Sequence, residues 1–280
     1  MMRIASVSLG GRATVTTAYA QTTLGINAMR ASVLAALGLS IISGSTVLAA
    51  DIRVMSGGAP KEVLAVLTPE FEKQTGHKVH FTYIVISAIQ QQLAAGAKPD
   101  MVLMPAPALE AQVKAGVMRD APRSNLGIVR IGLVVREGAP KPDISTLDAF
   151  KKAMLDAKSI VHANPAATPS GAHLAKVWEQ LGIADAIKAK ATHRTSLDGG
   201  VAAIARGEVE IGLYPVSEII SEKGVALAAM IPAEVQLNTV YATGVLAANA
   251  APEPAMAFIK FLTDPVNAQH WTHGGFEAAK

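Results

Sequence analysis

Ile52-Arg-Val-Met-Ser-Gly-Gly-Ala-Pro60 is the stretch on which the fold turns. Its apolar start, residues 52–55, reads as a short strand, and Ser56-Gly57-Gly58 breaks it. Pro60 suits a first helical turn. Val63, Leu64, Leu67 and Phe71 then recur at near-helical spacing until Gly76 stops the helix. The same phrase of strand, small-residue turn and helix returns downstream. Residues 78–83 are rich in β-branched and aromatic side chains, Ser87 caps a helix through residue 95, and Gly96 closes it. Residues 100–104 form a buried-strand pattern, followed by a helix over 108–115 that ends at Gly116. Alternation of this kind predicts an α/β fold.

The rest of the chain continues the pattern. Strands are expected over 128–136, 159–162, 209–214 and 237–247. Helices are expected over 147–157, from the loop 164–171 through 181, and over 200–206, 252–262 and 266–271. No internal repeat or low-complexity tract interrupts residues 51–280.

Ahead of this body, residues 33–48 run for sixteen mostly apolar positions without a charge, preceded by Arg30, and Val47-Leu48-Ala49 has the small-residue pattern of a signal-peptidase site. Residues 1–49 are therefore read as a signal peptide, and a start at Met29 gives one of ordinary length. Arg3, Arg12 and Arg30 are the only charged residues of that segment, so the remaining chain balances 22 basic against 22 acidic side chains. That balance, with no basic patch interleaved with aromatics, argues against a nucleic-acid partner. The chain has no Cys, so it is expected to do without disulfides or a lipidated N-terminal Cys. About 231 residues suffice for two lobes of ordinary size. The expected location is the periplasm.

The small-residue turns are the candidate chemistry. A helix start offers unpaired N–H donors and the positive end of its dipole, and small residues let an anion approach them. The candidates are Ser56, Gly57, Gly58 and Ala59 in the first turn and Ser87 in the second. Thr168-Pro169-Ser170-Gly171 and Asp198-Gly199-Gly200 complete the set, with Ser170, Gly171 and Asp198 as the residues of interest. Each turn taken alone also serves ordinary capping. Ser56-Gly57-Gly58-Ala59-Pro60 lacks both nucleotide-loop spacings. No H-x-x-x-H or Cys set supports zinc, and the spacing of His270 with His273, or His77 with His80, supplies no third ligand. No metal and no cofactor are expected. No G-x-S-x-G elbow occurs.

Three further stretches carry a resemblance. The opening 52–59, Phe71-Glu-Lys-Gln-Thr-Gly76 and Ala94-Ala-Gly-Ala-Lys-Pro-Asp100 follow one another as in the periplasmic molybdate-binding proteins, a family of ABC transporter substrate-binding proteins. Pro169-Ser170-Gly171, Gly207-Glu-Val-Glu-Ile-Gly212 and Phe258-Ile-Lys-Phe-Leu-Thr-Asp-Pro265 resemble its later landmarks, and the likeness covers about 51–280. The resemblance implies a type II periplasmic binding protein: two lobes with a mixed sheet in each, two crossings, and a ligand cleft between them. One lobe would comprise 51–132 with 240–280, and the other 133–239. It implies a small anion held by neutral donors, delivered as a monomer to a membrane permease. Transferred by position, the family's first serine falls at Ala59, which has no hydroxyl, and its second at Ser87. The next contacts fall near Asp198 and at Pro215, beside Tyr214. The ligand stays open between a molybdate-like oxyanion and a small carboxylate.

Some proteins similar to this family are periplasmic aconitate isomerases, which sets an enzymatic alternative beside pure binding. In that alternative Arg194 clamps a carboxylate and His193, His173 or Tyr214 moves a proton. Cleft charge separates the two: an oxyanion receptor needs only neutral donors, whereas a tricarboxylate site presents a Lys or Arg with a titratable partner.

Overall fold

A computed structural model describes residues 49–194 and 200–278, except for the side chain of Arg194. The signal peptide expected over 1–49 and the candidate Asp198 lie outside the described residues, apart from Ala49.

From the N-terminal side the order is β1 (Asp51–Ser56), α1 (Lys61–Thr75), β2 (Lys78–Tyr83), α2 (Ile86–Ala94), β3 (Met101–Pro105), α3 (Ala106–Lys114) and β4 (Met118–Val129). A second run follows: β5 (Ile131–Arg136), α4 (Leu147–Asp156), β6 (Ile160–Ala163), α5 (Pro169–Gln180), α6 (Ala184–Lys188), β7 (Ala191–Arg194), α7 (Gly200–Ala205), β8 (Ile211–Pro215), α8 (Val216–Ile220) and β9 (Val225–Met230). The chain closes with β10 (Thr239–Leu246), α9 (Glu253–Leu262) and α10 (Ala268–His273).

These strands make two five-stranded mixed sheets, one in each lobe. The first has the order β2-β1-β3-β10-β4 and the second β7-β6-β8-β5-β9. In the first, β1 runs parallel to β2 and β3, while β10 is antiparallel to both β3 and β4. In the second, β6 is parallel to β7 and β8, and β5 is antiparallel to β8 and β9. The chain thus leaves the first sheet after Val129, enters the second at Ile131, and returns between Met230 and Thr239.

Strand β3 shows why its sequence is apolar throughout. Met101 and Leu103 enter the core that holds Phe71 and Phe258, while Val102 and Met104 enter the core that holds Ile89 and Leu109. Both faces of the sheet are covered, so neither set of alternating residues meets water. The second sheet repeats this: Leu133 and Val135 pack with Phe150 and Trp178, and Val134 packs with Val161 and Ile204. Around Phe71 the rings crowd, with Phe258 at 4.7 Å and Phe261 at 5.5 Å between centroids. Trp271 joins this core and donates its indole N–H to the Leu262 carbonyl at 2.8 Å.

The one strand expected over 128–136 is two, parted at Arg130 and belonging to different sheets. At this point the chain changes partners. The Arg130 carbonyl accepts from Val216 N, while Ile131 N donates to the Gln236 side chain at 2.8 Å. Gln236 also donates to the Ile131 and Ile231 carbonyls, so a single amide braces both crossings. The C-terminal stretch adds a clasp, with Glu277 pairing backbone to backbone with Ile128 and its carboxylate 2.8 Å from Arg130 Nη2. Among the described residues no helix is long and apolar enough to cross a membrane.

Candidate functional site

Strand ends and helix starts of the two sheets face one another around a cavity of about 250 Å3. From the first lobe, β1 delivers Gly57 and Gly58 to its wall, followed by Lys61 and Glu62 in the first turn of α1. Gly57 is closely packed, and a Cβ there would lie 2.8 Å from Ile86 Cδ1 and 3.1 Å from the Tyr241 hydroxyl, so both side chains would have to shift. The start of α2 brings Tyr83, Val85 and Ile86 to the same wall.

From the second lobe comes the start of α5. Thr168 caps that helix, its hydroxyl accepting from Gly171 N at 3.1 Å, and Ser170 Oγ lies 3.3 Å from the same oxygen. Thr168, Pro169 and Ser170 all face the cavity, so the capped helix start points at it. Gly171 sits behind, and any Cβ there would overlap the Ala163 carbonyl. Gly200, at the start of α7, is pressed against the Tyr214 ring and hydroxyl, which a side chain at 200 would displace. Tyr214, Pro215, Ser217 and Glu218 follow from the end of β8 and from α8, and Thr239 and Tyr241 from the returning strand β10.

The electrostatics are distinctive. Glu218 lines the cavity half-buried and, among the described residues, its carboxylate makes no hydrogen bond or ion pair. Burial pushes its carboxyl up to about 7. The buried Tyr241 hydroxyl is pushed upward by burial and then by the charge of Glu218, and that of Tyr83 by burial and then by Glu62. Both phenols therefore stay neutral. Lys61 is the one cationic side chain among the described lining residues, against Glu62, Glu218 and Glu222. The Ser217 hydroxyl is buried without a partner.

Of the residues expected from sequence, Gly57, Gly58, Ser170 and Tyr214 line this cavity. Ser56, Ala59, Ser87 and Gly171 stand just behind it. Ser56 is fully buried and its hydroxyl donates to the Gly57 carbonyl at 2.9 Å. Ala59 packs in the first core. Ser87 contributes its backbone, whose N–H donates to the Ala167 carbonyl at 3.3 Å and links the two lobes beside the cavity. Of the residues of the enzymatic alternative, Tyr214 lines the cavity, while His173 and His193 are not among its lining residues. His173 Nε2 lies 2.7 Å from the Val235 carbonyl, and His193 is exposed on β7, its ring 4.5 Å from that of His162. Arg194 is on the same strand. His270 and His273 open onto a second cavity of about 330 Å3, and no group of three metal-ligating side chains occurs among the described residues.

Sequence reasoning passed over Lys61, Thr168, Glu218 and Tyr241. Thr168 was legible as the cap of its own turn. Glu218 carried a weaker signal, a lone carboxylate inside the apolar run Val216-Ser-Glu-Ile-Ile220.

Residues 52–277 match the family model described as bacterial extracellular solute-binding protein. Aconitate isomerase of a Pseudomonas species is 31% identical over 237 residues, covering 81% of this chain and 89% of that protein. The molybdate-binding protein ModA of Escherichia coli (strain K12) is 22% identical over 248 residues, covering 86% and 95%. Among solved structures, the periplasmic molybdate-binding protein of Azotobacter vinelandii superposes with a TM-score of 0.71 at 18% identity, over 82% of this chain and all of that one. The fold implied by the opening turns is thus the fold observed, and a match running from β1 to the C-terminal clasp makes this chain a member of the bacterial extracellular solute-binding protein family.

Proposed function

We propose that this protein captures a small organic polycarboxylate between its lobes in the periplasm and passes it, as a monomer, to the permease of an ABC importer. The observation that carries this reading is the presence of both Lys61 and the titratable Glu218 on the wall of a cleft otherwise furnished with hydroxyls and a helix start. A tetrahedral oxyanion needs no such pair. Size points the same way. A cavity of about 250 Å3 approaches the lower end of the roughly 300–1,000 Å3 found for pockets that hold small organic molecules. That is more than a five-atom oxyanion fills. Neutral donors at Gly58 and at the α5 start, with the Lys61 ammonium, would hold separate carboxylates through charge-assisted hydrogen bonds.

A thermal-shift panel of citrate, tricarballylate, cis- and trans-aconitate, molybdate, tungstate and sulfate tests this. A bound ligand at a hundred times its Kd adds about 2.7 kcal/mol, a rise of about 5–10 °C for a body of this size. The expected result is a rise with one or more carboxylates and none with the oxyanions. A rise with molybdate or tungstate alone would sink the carboxylate reading.

A second reading is favoured by the 31% identical relative together with the unpaired carboxyl of Glu218. Moving a double bond along a tricarboxylate requires a base that takes a proton from one carbon and an acid that returns one to another. A carboxyl near 7 suits both duties, and Glu218 is the group in the cleft that has it. Conversion of cis- to trans-aconitate, followed by chromatography, supports this reading. Unchanged substrate after hours leaves capture alone.

A further inference from the structure

We infer that Glu218 holds one proton jointly with a carboxylate of the bound anion, so that capture is linked to proton uptake and favours anions basic enough to share that proton. This deepens the proposed capture of a carboxylate and rests on it for the identity of the anion. The geometry is that of a carboxyl group that makes no ion pair among the described residues, set in the wall of a cleft meant for negative charge. Two carboxylates brought together in a desolvated space cannot both stay ionised, and one proton between them removes the repulsion and adds a short hydrogen bond. Sulfate is too weak a base to take part.

The neighbours do not supply an alternative. On the chain just past α8, Glu222 lines the same cavity and has Arg206 close enough to be raised by it. From α1, Glu62 adds negative charge and Lys61 answers only one of the three carboxylates. From β10, β8 and β2 come the phenols of Tyr241, Tyr214 and Tyr83, of which Tyr241 and Tyr83 are pushed away from ionisation. The adjoining cavity brings His270 and His273 from α10 towards Ser217. A substitution at Glu218 itself separates its contribution from theirs.

The test is calorimetry at pH 8 in two buffers of different ionisation enthalpy, with trans-aconitate, citrate, sulfate and molybdate as probes. It compares the intact protein with the near-isosteric Glu218→Gln. The intact protein should take up about one proton per carboxylate ligand, and its Kd should weaken about tenfold per pH unit above neutrality. In Glu218→Gln the uptake should vanish and Kd should stay flat from pH 6 to 9. Absence of uptake in the intact protein, or the same uptake and slope in the variant, would overturn the inference. Should no carboxylate bind the intact protein, the capture reading fails, and the oxyanions then judge Glu218. Molybdate or sulfate held at least tenfold tighter at pH 8 by Glu218→Gln supports its role in rejecting charge, and equal binding by both proteins, or none by either, overturns it.

Discussion

His162 illustrates how one side chain ties stability to pH. It lies 1% exposed on β6, with its ring against Trp178 and His193 and Nδ1 3.0 Å from the Ala163 carbonyl. Burial, chiefly, lowers its pKa from 6.5 to about 4. Between those values the unfolded chain binds a proton that the folded one refuses. The stability is therefore complete above about pH 6.5 and is lost as pH falls towards 4, by about 3 kcal/mol at full extent. Urea denaturation at pH 7.5 and 4.5 should show this loss, and His162→Phe should flatten it. Glu218 works in the opposite sense, its raised carboxyl costing stability as pH climbs from 4.5 towards 7. At this scale the sequence was only partly readable. Gly57, Gly58 and Ser170 announced themselves because turn chemistry is local. His162 and Glu218 did not, because what makes each unusual is burial contributed by distant strands.

Elements are held at their joints by groups that propensity does not reveal. Asp100 precedes β3 and accepts from the Arg53 backbone N–H of β1 at 2.7 Å as well as from its guanidinium, while its own N–H donates to the Arg53 carbonyl. The guanidinium is largely in water, with the Arg53 side chain 64% exposed. Arg53→Ala should cost less than about 1 kcal/mol, since exposed ion pairs contribute little. Asp100→Ala should cost about 2 kcal/mol, because it also removes the acceptor of a backbone donor. Chemical denaturation of the two variants should rank them in that order, and equal losses would show that the ion pair matters and the backbone bond does not. The legible elements were those with a clear apolar pattern, a continuous run in β3, a run broken by Ser56-Gly57-Gly58 in β1, and helical spacing stopped by Gly76 in α1. Strands β4, β7 and β9 escaped notice for physical reasons. The first half of β4 is a polar edge containing Pro122, β7 is a four-residue edge with two polar side chains and an Arg, and β9 shows no alternation of burial.

For the molecule as a whole, relative movement of the lobes must pass through two short crossings and the amide of Gln236 that braces them. Gln236→Ala would strand the Ile131 N–H and carbonyl at the first crossing. A loss of about 2 kcal/mol follows, which for this length lowers Tm by about 4–8 °C. The affinity for the ligand found in the panel should change as well, since both crossings between the lobes lose their shared brace. A variant that melts normally and binds normally would exclude Gln236 from the hinge.

Both sheets are completed out of order. Strand β4 touches its sheet only through β10, which is more than a hundred residues later in the chain, and β5 reaches β6 only through the later β8. While the chain is being synthesised, the first sheet is therefore left open until residues near 246 have emerged from the ribosome. Up to that moment β4 has no edge to join and the cavity has no floor at Thr239 and Tyr241. A nascent chain wired in this way stays unfinished for most of its synthesis, with its last-made strand the one that completes its first-made sheet.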